Sequence, residues 1–100
     1  MSSNKTELIF EWNRNKAKKN IAKHKVSFEE AKTVFNDPFL LTFPDEYHSE
    51  NEERLTSIGI SSHNRILLVV HTEQIRTGEI IIRIISCRKA TTAERRIYEK

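Results

Sequence analysis

The chain has 100 residues, of which 37% are hydrophobic, and its formal net charge is +3 at pH 7. This length suits one domain with a modest core and leaves no room for a second. A disulfide framework is excluded because the sequence contains one cysteine, and no apolar run approaches the roughly 20 residues that cross a bilayer. We therefore expect a single domain over residues 1–100 in a reducing cytoplasm, without a secretory signal and without membrane association.

A short strand followed by a helix is predicted at the start of the chain. Residues 8–12 have the aromatic and β-branched content of a strand. Asn13 is placed to cap a helix over residues 14–24, because an asparagine side chain accepts hydrogen bonds from the first free amides of a helix. The polar side of this helix carries four lysines. Lys23, near its end, is a candidate contact for a negatively charged substrate.

A second short helix is predicted next, and another helix near the end of the chain. Ser27 and Glu30 fit the S-x-x-E capping box, and the Asn-Asp-Pro sequence at 36–38 ends the helix that follows. Thr91 and Glu94 fit the related T-x-x-E pattern. The sequence therefore predicts two helices before the main run of strands and one helix after it.

Four further strands are predicted between these helices. They cover residues 39–43, 54–60, 66–72 and 80–85. Short turns between consecutive strands favour antiparallel pairing. The predicted fold class is α+β, with an antiparallel sheet of four to five strands, both N-terminal helices on one face and a C-terminal helix. The acidic stretch 45–53 is interpreted as a solvated loop, because the spacing of its carboxylates and histidine matches no metal motif.

Basic side chains on and just beyond the last strand are the first candidates for function. A buried strand tolerates a charge only where that charge is paired or used. Arg83 lies within this strand, and Arg88 and Lys89 follow it. Alternation of side chains places Arg83 and Arg88 on opposite faces of the sheet unless a bulge at Ser86 or Cys87 intervenes.

The sheet face opposite the helices can gather groups suited to RNA cleavage. The candidates are Arg54, His71, Glu73 and one of Arg83 and Arg88. Cleavage of RNA without a metal needs a base, an acid and fixed positive charge at the phosphate. Arginine suits the phosphate because its planar fork holds two oxygens, and Glu73 or His71 can move protons. Each residue also has a structural alternative, as an ion-pair partner or as a hydrogen-bonded strand residue.

Five segments, in order along the chain, carry a family resemblance. They are FEW at 10–12, NKAKKNIAKHKVSFEEAKTVFNDP at 15–38, EERLTSIG at 52–59, HTE at 71–73 and RIISCRKAT at 83–91. Together they resemble the BrnT family, the toxin half of the BrnT/BrnA type II toxin–antitoxin systems, from Phe10 to Tyr98. The family usually has Asp where Asn13 stands, Gly where Lys25 stands and often Arg where Gln74 stands. A lysine in place of that glycine predicts a strained or altered turn between the first two helices.

This resemblance implies a function and partners. It implies a RelE-like ribonuclease toxin that cleaves RNA and blocks translation. It also implies a BrnA-type antitoxin that neutralises the toxin in a hetero-oligomer and supplies the contact with operator DNA. We expect no metal and no cofactor, so the predicted cleavage is metal-independent.

The resemblance also suggests roles for individual residues. By position, Arg83 and Arg88 are expected to bind phosphate or to stabilise the charge of the transition state. Glu73 is expected to transfer or orient a proton, and Arg54 to contact the substrate. Further candidates for contact with RNA are His71, Lys89 and Lys23.

Two other classes of function remain open. A non-catalytic RNA-binding module would block translation by occupancy, although the strands lack the many aromatic residues that single-strand binders use for base stacking. A protein-binding module would use the charged strand face as a pairing surface. Detection of RNA cleavage products would distinguish the ribonuclease hypothesis from both of these alternatives.

Overall fold

A five-stranded sheet with three helices forms the fold in the computed structural model, which describes residues 6–45 and 53–100. The elements are β1 (Glu7–Trp12), α1 (Arg14–His24), α2 (Phe28–Lys32), a 3₁₀ turn (Thr33–Asn36), β2 (Leu41–Pro44), β3 (Leu55–Ile60), β4 (Ile66–Arg76), β5 (Glu79–Lys89) and α3 (Thr92–Tyr98). Most of the predicted acidic loop at 45–53 lies outside the described residues. No helix in the described part of the chain is long and apolar enough to span a membrane.

The sheet is mixed, with the strand order β1-β5-β4-β3-β2. Its three pairs among β2 to β5 are antiparallel, but β1 runs parallel to β5. The α+β class and the number of strands agree with prediction, whereas the expectation of an antiparallel sheet is wrong for this pair. Short turns determine the direction of consecutive strands only. Because β1 and β5 are separated by most of the chain, no turn constrained their relative direction.

The predicted helix boundaries are formed by side-chain caps. The Asn13 side chain accepts a hydrogen bond from the Lys16 amide at 3.0 Å, and Ser27 Oγ accepts one from the Glu30 amide at 3.0 Å. Lys25 ends α1 in the left-handed region, with φ 61° and ψ 30°. This conformation agrees with the predicted strained turn, because a side chain at positive φ meets its own backbone.

The core lies between one sheet face and residues 26–34, which include α2, and we call this face the covered face. The buried core residues of the helical segment are Val26, Phe28, Ala31 and Val34, and those of the sheet are Leu67, Val69, Ile82, Ile84 and Cys87. Alternate residues of a strand share one face, so the side chains between these positions point to the other side of the sheet.

A β-bulge in β5 changes which residues share a face. Val70 pairs with Ser86, whereas the next residue, His71, pairs with Ile84, so Ile85 is an extra residue in β5. The bulge reverses the alternation beyond it. Arg83 and Arg88, on either side of the bulge, therefore lie on the same face. The sequence predicted opposite faces for the two arginines unless a bulge lay at Ser86 or Cys87. A bulge is present at Ile85, one residue earlier, so the two side chains share a face.

A buried asparagine completes the edge of β5 beyond β1. The last pair between the two strands joins Trp12 and Ile84. Further along, Asn20 of α1 takes the place of a neighbouring strand. Its Oδ1 accepts from the Cys87 amide at 3.1 Å, and its Nδ2 donates to the Cys87 carbonyl at 2.9 Å and to the Val26 carbonyl at 2.9 Å. Burial raises the pKa of the Cys87 thiol to about 12, so the sulfur behaves as a core atom.

Candidate functional site on the arginine face

The sheet face opposite the covered face gathers arginine and hydroxyl side chains, and we call it the arginine face. Its polar residues on the three central strands and just before β3 are Arg54, Thr56, Thr72, Gln74, Arg76, Glu79, Arg83, Ser86 and Arg88. This set contains three of the four residues that the sequence predicted as catalytic. The bulge at Ile85 is the reason that both arginines of β5 belong to it.

The pairing register brings Arg54 towards Arg83. Leu55 pairs with His71, so Arg54, one residue earlier, stands beside Thr72. Thr72 in turn pairs with Arg83. Neighbouring strands are separated by about 4.8 Å, which puts the Cα atoms of the two arginines roughly 10 Å apart across three strands. Two guanidinium groups at this spacing can contact neighbouring points of one polyanion.

The two arginines of β5 line different cavities. Arg88 and Ser86 line a cavity of about 500 Å³ whose other residues are His24, Asp45, Thr56, Leu68, Val70, Cys87 and Glu94. Arg83 lines a smaller cavity of about 130 Å³ together with Asn13, Lys16, Ile84 and Ile85. Five residues of a strand span on the order of 16 Å, so these side chains are suited to contact separate points of an extended chain.

An ion pair with α3 fixes the guanidinium of Arg88. Its Nη1 donates to Glu94 Oε1 at 2.8 Å and its Nη2 donates to Glu94 Oε2 at 2.9 Å. Glu94 also accepts from the Thr91 amide at 2.8 Å, which completes the predicted capping box. The hydrogen bonds between the two side chains lower the pKa of the Glu94 carboxyl and raise the pKa of the Arg88 guanidinium. Both groups are therefore charged at neutral pH.

An aromatic side chain borders the arginine face. Phe43 of β2 pairs with Thr56, so it lies on the same side of the sheet as Thr56, and 41% of its surface is exposed. Exposed rings next to cationic side chains are the surfaces on which unpaired bases stack. Phe43 could not be recognised from the sequence, where it stood in an apolar run without an assigned face.

His71 lies in the core and not on the arginine face. Its side chain is fully buried on the covered face, its Nε2 is 2.7 Å from Ser57 Oγ, and its ring meets the Phe35 ring edge-on with 4.9 Å between centroids. Burial lowers the pKa of His71 to about 4. The imidazole is thus neutral at pH 7 and out of reach of RNA, which does not agree with the predicted substrate contact.

The other predicted residues also lie apart from the three arginines. Glu73 is exposed and pairs with Ile82, a covered-face position, near the hairpin between β4 and β5. Lys89 is exposed at the end of β5 and lines a separate cavity of about 440 Å³ with residues that include Arg65 and Arg95. Lys23 is exposed on α1. The predicted gathering of Glu73 and His71 with the arginines is not observed, because the register places both on the other side of the sheet.

A second cluster of charged groups surrounds Glu30 at the end of α2. Arg65 Nε donates to Glu30 Oε2 at 3.0 Å and Ser61 Oγ donates to the same oxygen at 2.6 Å, while Arg65 Nη2 contacts Oε1. The hydrogen bonds from Arg65, followed by that from Ser61, hold the pKa of this carboxyl below its usual value despite its burial. The Glu30 side chain therefore binds Arg65, and Ser27 caps α2 through its own hydroxyl. This cluster joins α2 to the turn after β3.

Among residues 6–45 and 53–100, no group of three or more histidine, cysteine, aspartate and glutamate side chains is close enough to bind one ion.

Two comparisons relate the chain to known proteins. The family model described as "Ribonuclease toxin, BrnT, of type II toxin-antitoxin system" matches residues 12–94. Among solved structures, the chain is similar to the crystal structure of the Brucella abortus ribonuclease toxin BrnT, with a TM-score of 0.61 and 26% sequence identity, over 87% of this chain and 100% of that chain. No curated protein matches the chain.

Proposed function

The chain belongs to the BrnT family of ribonuclease toxins of type II toxin–antitoxin systems, and from this membership we propose that it is a metal-independent endoribonuclease that cleaves RNA on the arginine face. Cleavage of cellular RNA would inhibit translation. The family resemblance also implies that the protein acts in the cytoplasm and that its fold is RelE-like, and we include both points in the proposal.

The observation that carries this proposal is the convergence of three arginines on one sheet face. Arg83 and Arg88 come from β5 and Arg54 is the residue before β3, and only the bulge at Ile85 brings the two arginines of β5 to the same side. Guanidinium groups bind phosphate oxygens in pairs and remain charged at all physiological pH values. One of them can therefore stabilise the extra negative charge of the phosphorane-like transition state without a metal ion, while the others bind neighbouring phosphates of the same RNA.

Proton transfer in this proposal is assigned to the rim of the larger cavity. His24, at the end of α1, lines this cavity together with Ser86 and Arg88. Imidazole is the side chain most often used to take or give a proton in catalysis. His24 is therefore our candidate for activating the attacking 2′-hydroxyl or protonating the leaving oxygen. Glu73, as a residue that transfers or orients a proton, and Lys89 and Lys23, as contacts with RNA, stay predictions for this chain.

The partners in the proposal follow from the toxin class. A BrnA-type antitoxin would neutralise the toxin by forming a hetero-oligomer with it, and contact with operator DNA would be made through the antitoxin. Within this chain, the arginine face is the side of the sheet open to RNA, since residues 26–34 cover the other side.

Occupancy without cleavage is the second candidate, and Phe43 favours it. An exposed ring beside a cationic face is sufficient to hold single-stranded RNA without any chemistry. The two candidates differ in their products, because occupancy leaves the RNA intact.

The test is cleavage of a single-stranded RNA by the purified protein in the presence of EDTA. We expect cleavage to persist, and we expect Arg83→Ala or Arg88→Ala to lower its rate by about 10²–10³-fold, the usual cost of removing one transition-state donor. Lys32→Ala, which removes a positive charge from the exposed end of α2, is the matched control and is expected to cut like the wild type.

Three outcomes would contradict the proposal. Full activity in both arginine variants would remove the arginine face as the site. Loss of cutting in EDTA that magnesium restores would reject the metal-independent mechanism. Arrest of translation with intact RNA would favour occupancy.

A further inference from the structure

The contact between Arg88 and Glu94 has the geometry of bound phosphate. Both terminal nitrogens of Arg88 donate to the two oxygens of one carboxylate, at 2.8 and 2.9 Å. This fork-to-fork arrangement is also the one in which arginine binds two oxygens of a phosphate. The carboxylate of Glu94 therefore occupies the position on Arg88 that an RNA phosphate would use.

The charges around the cavity oppose RNA while Glu94 is in place. Among the described residues that line this cavity, Arg88 is positive, whereas Glu94 and Asp45 are negative. The positive charge of Arg88 is thus balanced by its own partner. An approaching phosphate would gain little attraction from this paired arginine, but it would be attracted to Arg88 once Glu94 moved away.

Polar contacts join both ends of the helix that carries Glu94 to the rest of the fold. Near its start Glu94 binds Arg88, and at its end the Tyr98 hydroxyl donates to Asp37 Oδ2. A helix this short has little stability of its own in water, since its first turn is costly to form. None of the seven residues of α3, all of them described, is buried, so its displacement would expose no fully buried side chain of its own.

We propose that α3 is an autoinhibitory helix whose Glu94 occupies the phosphate site on Arg88 until RNA displaces it. This inference rests on the proposed function, because it requires that Arg88 binds RNA. The helix lowers the affinity for RNA and makes occupation of the larger cavity depend on release of Glu94.

The test measures binding of a short, fluorescently labelled 2′-O-methyl RNA, which cannot be cleaved because the attacking hydroxyl is blocked. Glu94→Gln removes the competing charge and keeps the capping box, since glutamine serves at that position as well. We expect it to bind RNA roughly tenfold more tightly than the wild type, which corresponds to about 1.4 kcal/mol. Glu99→Gln is the matched control, with the same change of charge on an exposed residue of the chain just after α3.

A double-mutant cycle separates displacement from a general effect of charge. If Glu94 acts by occupying Arg88, the gain from Glu94→Gln disappears in an Arg88→Ala background. Tyr98→Phe, which loosens the other end of α3, is expected to increase affinity by a smaller factor. A gain that persists without Arg88, or a Glu94→Gln variant no tighter than Glu99→Gln, would overturn the inference.

The two proposals fail in different ways. If Arg88→Ala weakens RNA binding but Glu94→Gln does not strengthen it, the arginine face stands and the autoinhibitory helix is rejected. If Arg54→Ala, Arg83→Ala and Arg88→Ala all bind RNA like the wild type, the proposed function and the inference are both rejected.

Discussion

The two faces of the sheet use polar residues in opposite ways. On the covered face, polar side chains are buried and bind fixed partners, as Asn20 binds the Cys87 backbone and His71 approaches Ser57. On the arginine face, Arg83 is exposed, and Arg88 is held by a carboxylate of a helix that is itself without a buried residue. Polar groups that form the core specify the fold, whereas groups that stay accessible remain available to a ligand.

This difference shows why residue type alone does not identify a site. Histidine and arginine are equally plausible in RNA cleavage, but His71 is enclosed and neutral while Arg83 is exposed. The bulge at Ile85 and the register with β4 decide which side each occupies. Substitutions on the covered face should therefore change stability, and those on the arginine face should change the interaction with RNA.

The largest effect on stability is expected at Asn20. Asn20→Ala removes the hydrogen bonds to Cys87 and Val26 and leaves the buried Cys87 amide and carbonyl without them. Unsatisfied buried groups are expensive, so the free energy of unfolding should fall by about 2–4 kcal/mol. Urea denaturation measures this change.

The matched control is Asn15→Ala, on the exposed side of the same helix. It should change the free energy of unfolding by no more than about 0.5 kcal/mol. Equal stabilities of the two variants would mean that Asn20 does not complete the edge of β5, and the contrast between the faces would lose its strongest support.

A pH-dependent effect on stability, absent at neutral pH, is expected at His71. Its pKa is lowered from 6.5 to about 4 by burial, so the unfolded chain takes up a proton in this range that the folded chain does not. Stability therefore decreases as the pH falls below 6.5, by about 1.4 kcal/mol per pH unit, and levels off near pH 4. His71→Gln should lack this component, which denaturation at several pH values between 7 and 4 would measure. Curves for wild type and variant that run parallel over this range would show that His71 titrates normally in the folded protein.

Much of the local structure could be predicted because short segments determine it. The caps at Asn13, Ser27 and Thr91 are formed by side chains within three residues of the amides that they bind, and the left-handed turn at Lys25 follows from where α1 ends. Register and strand direction depend on distant segments. The parallel pairing of β1 with β5 and the bulge at Ile85 could not be recognised for that reason.

The candidate site was predicted in part. Arg54, Arg83 and Arg88 were identified as residues of interest, and the structure brings them to one face, whereas Glu73 lies on the other side. The capping-box pattern identified Glu94 as a helix residue, but its ion pair with Arg88 depends on how α3 folds back towards β5. The cap joins residues three apart and follows from the sequence pattern, whereas the ion pair joins residues six apart and depends on the turn between β5 and α3.

The measurement that tests the central claim most directly is mapping of the RNA contact surface by amide chemical shifts. The labelled protein would be titrated with the uncleavable 2′-O-methyl RNA. The account predicts that the largest changes fall on residues of the arginine face, among them Thr56, Thr72, Ser86 and Arg88, and that α1 residues such as Lys18 and Lys19 shift little. The largest changes on the lysine side of α1, with the arginine face unaffected, would contradict it.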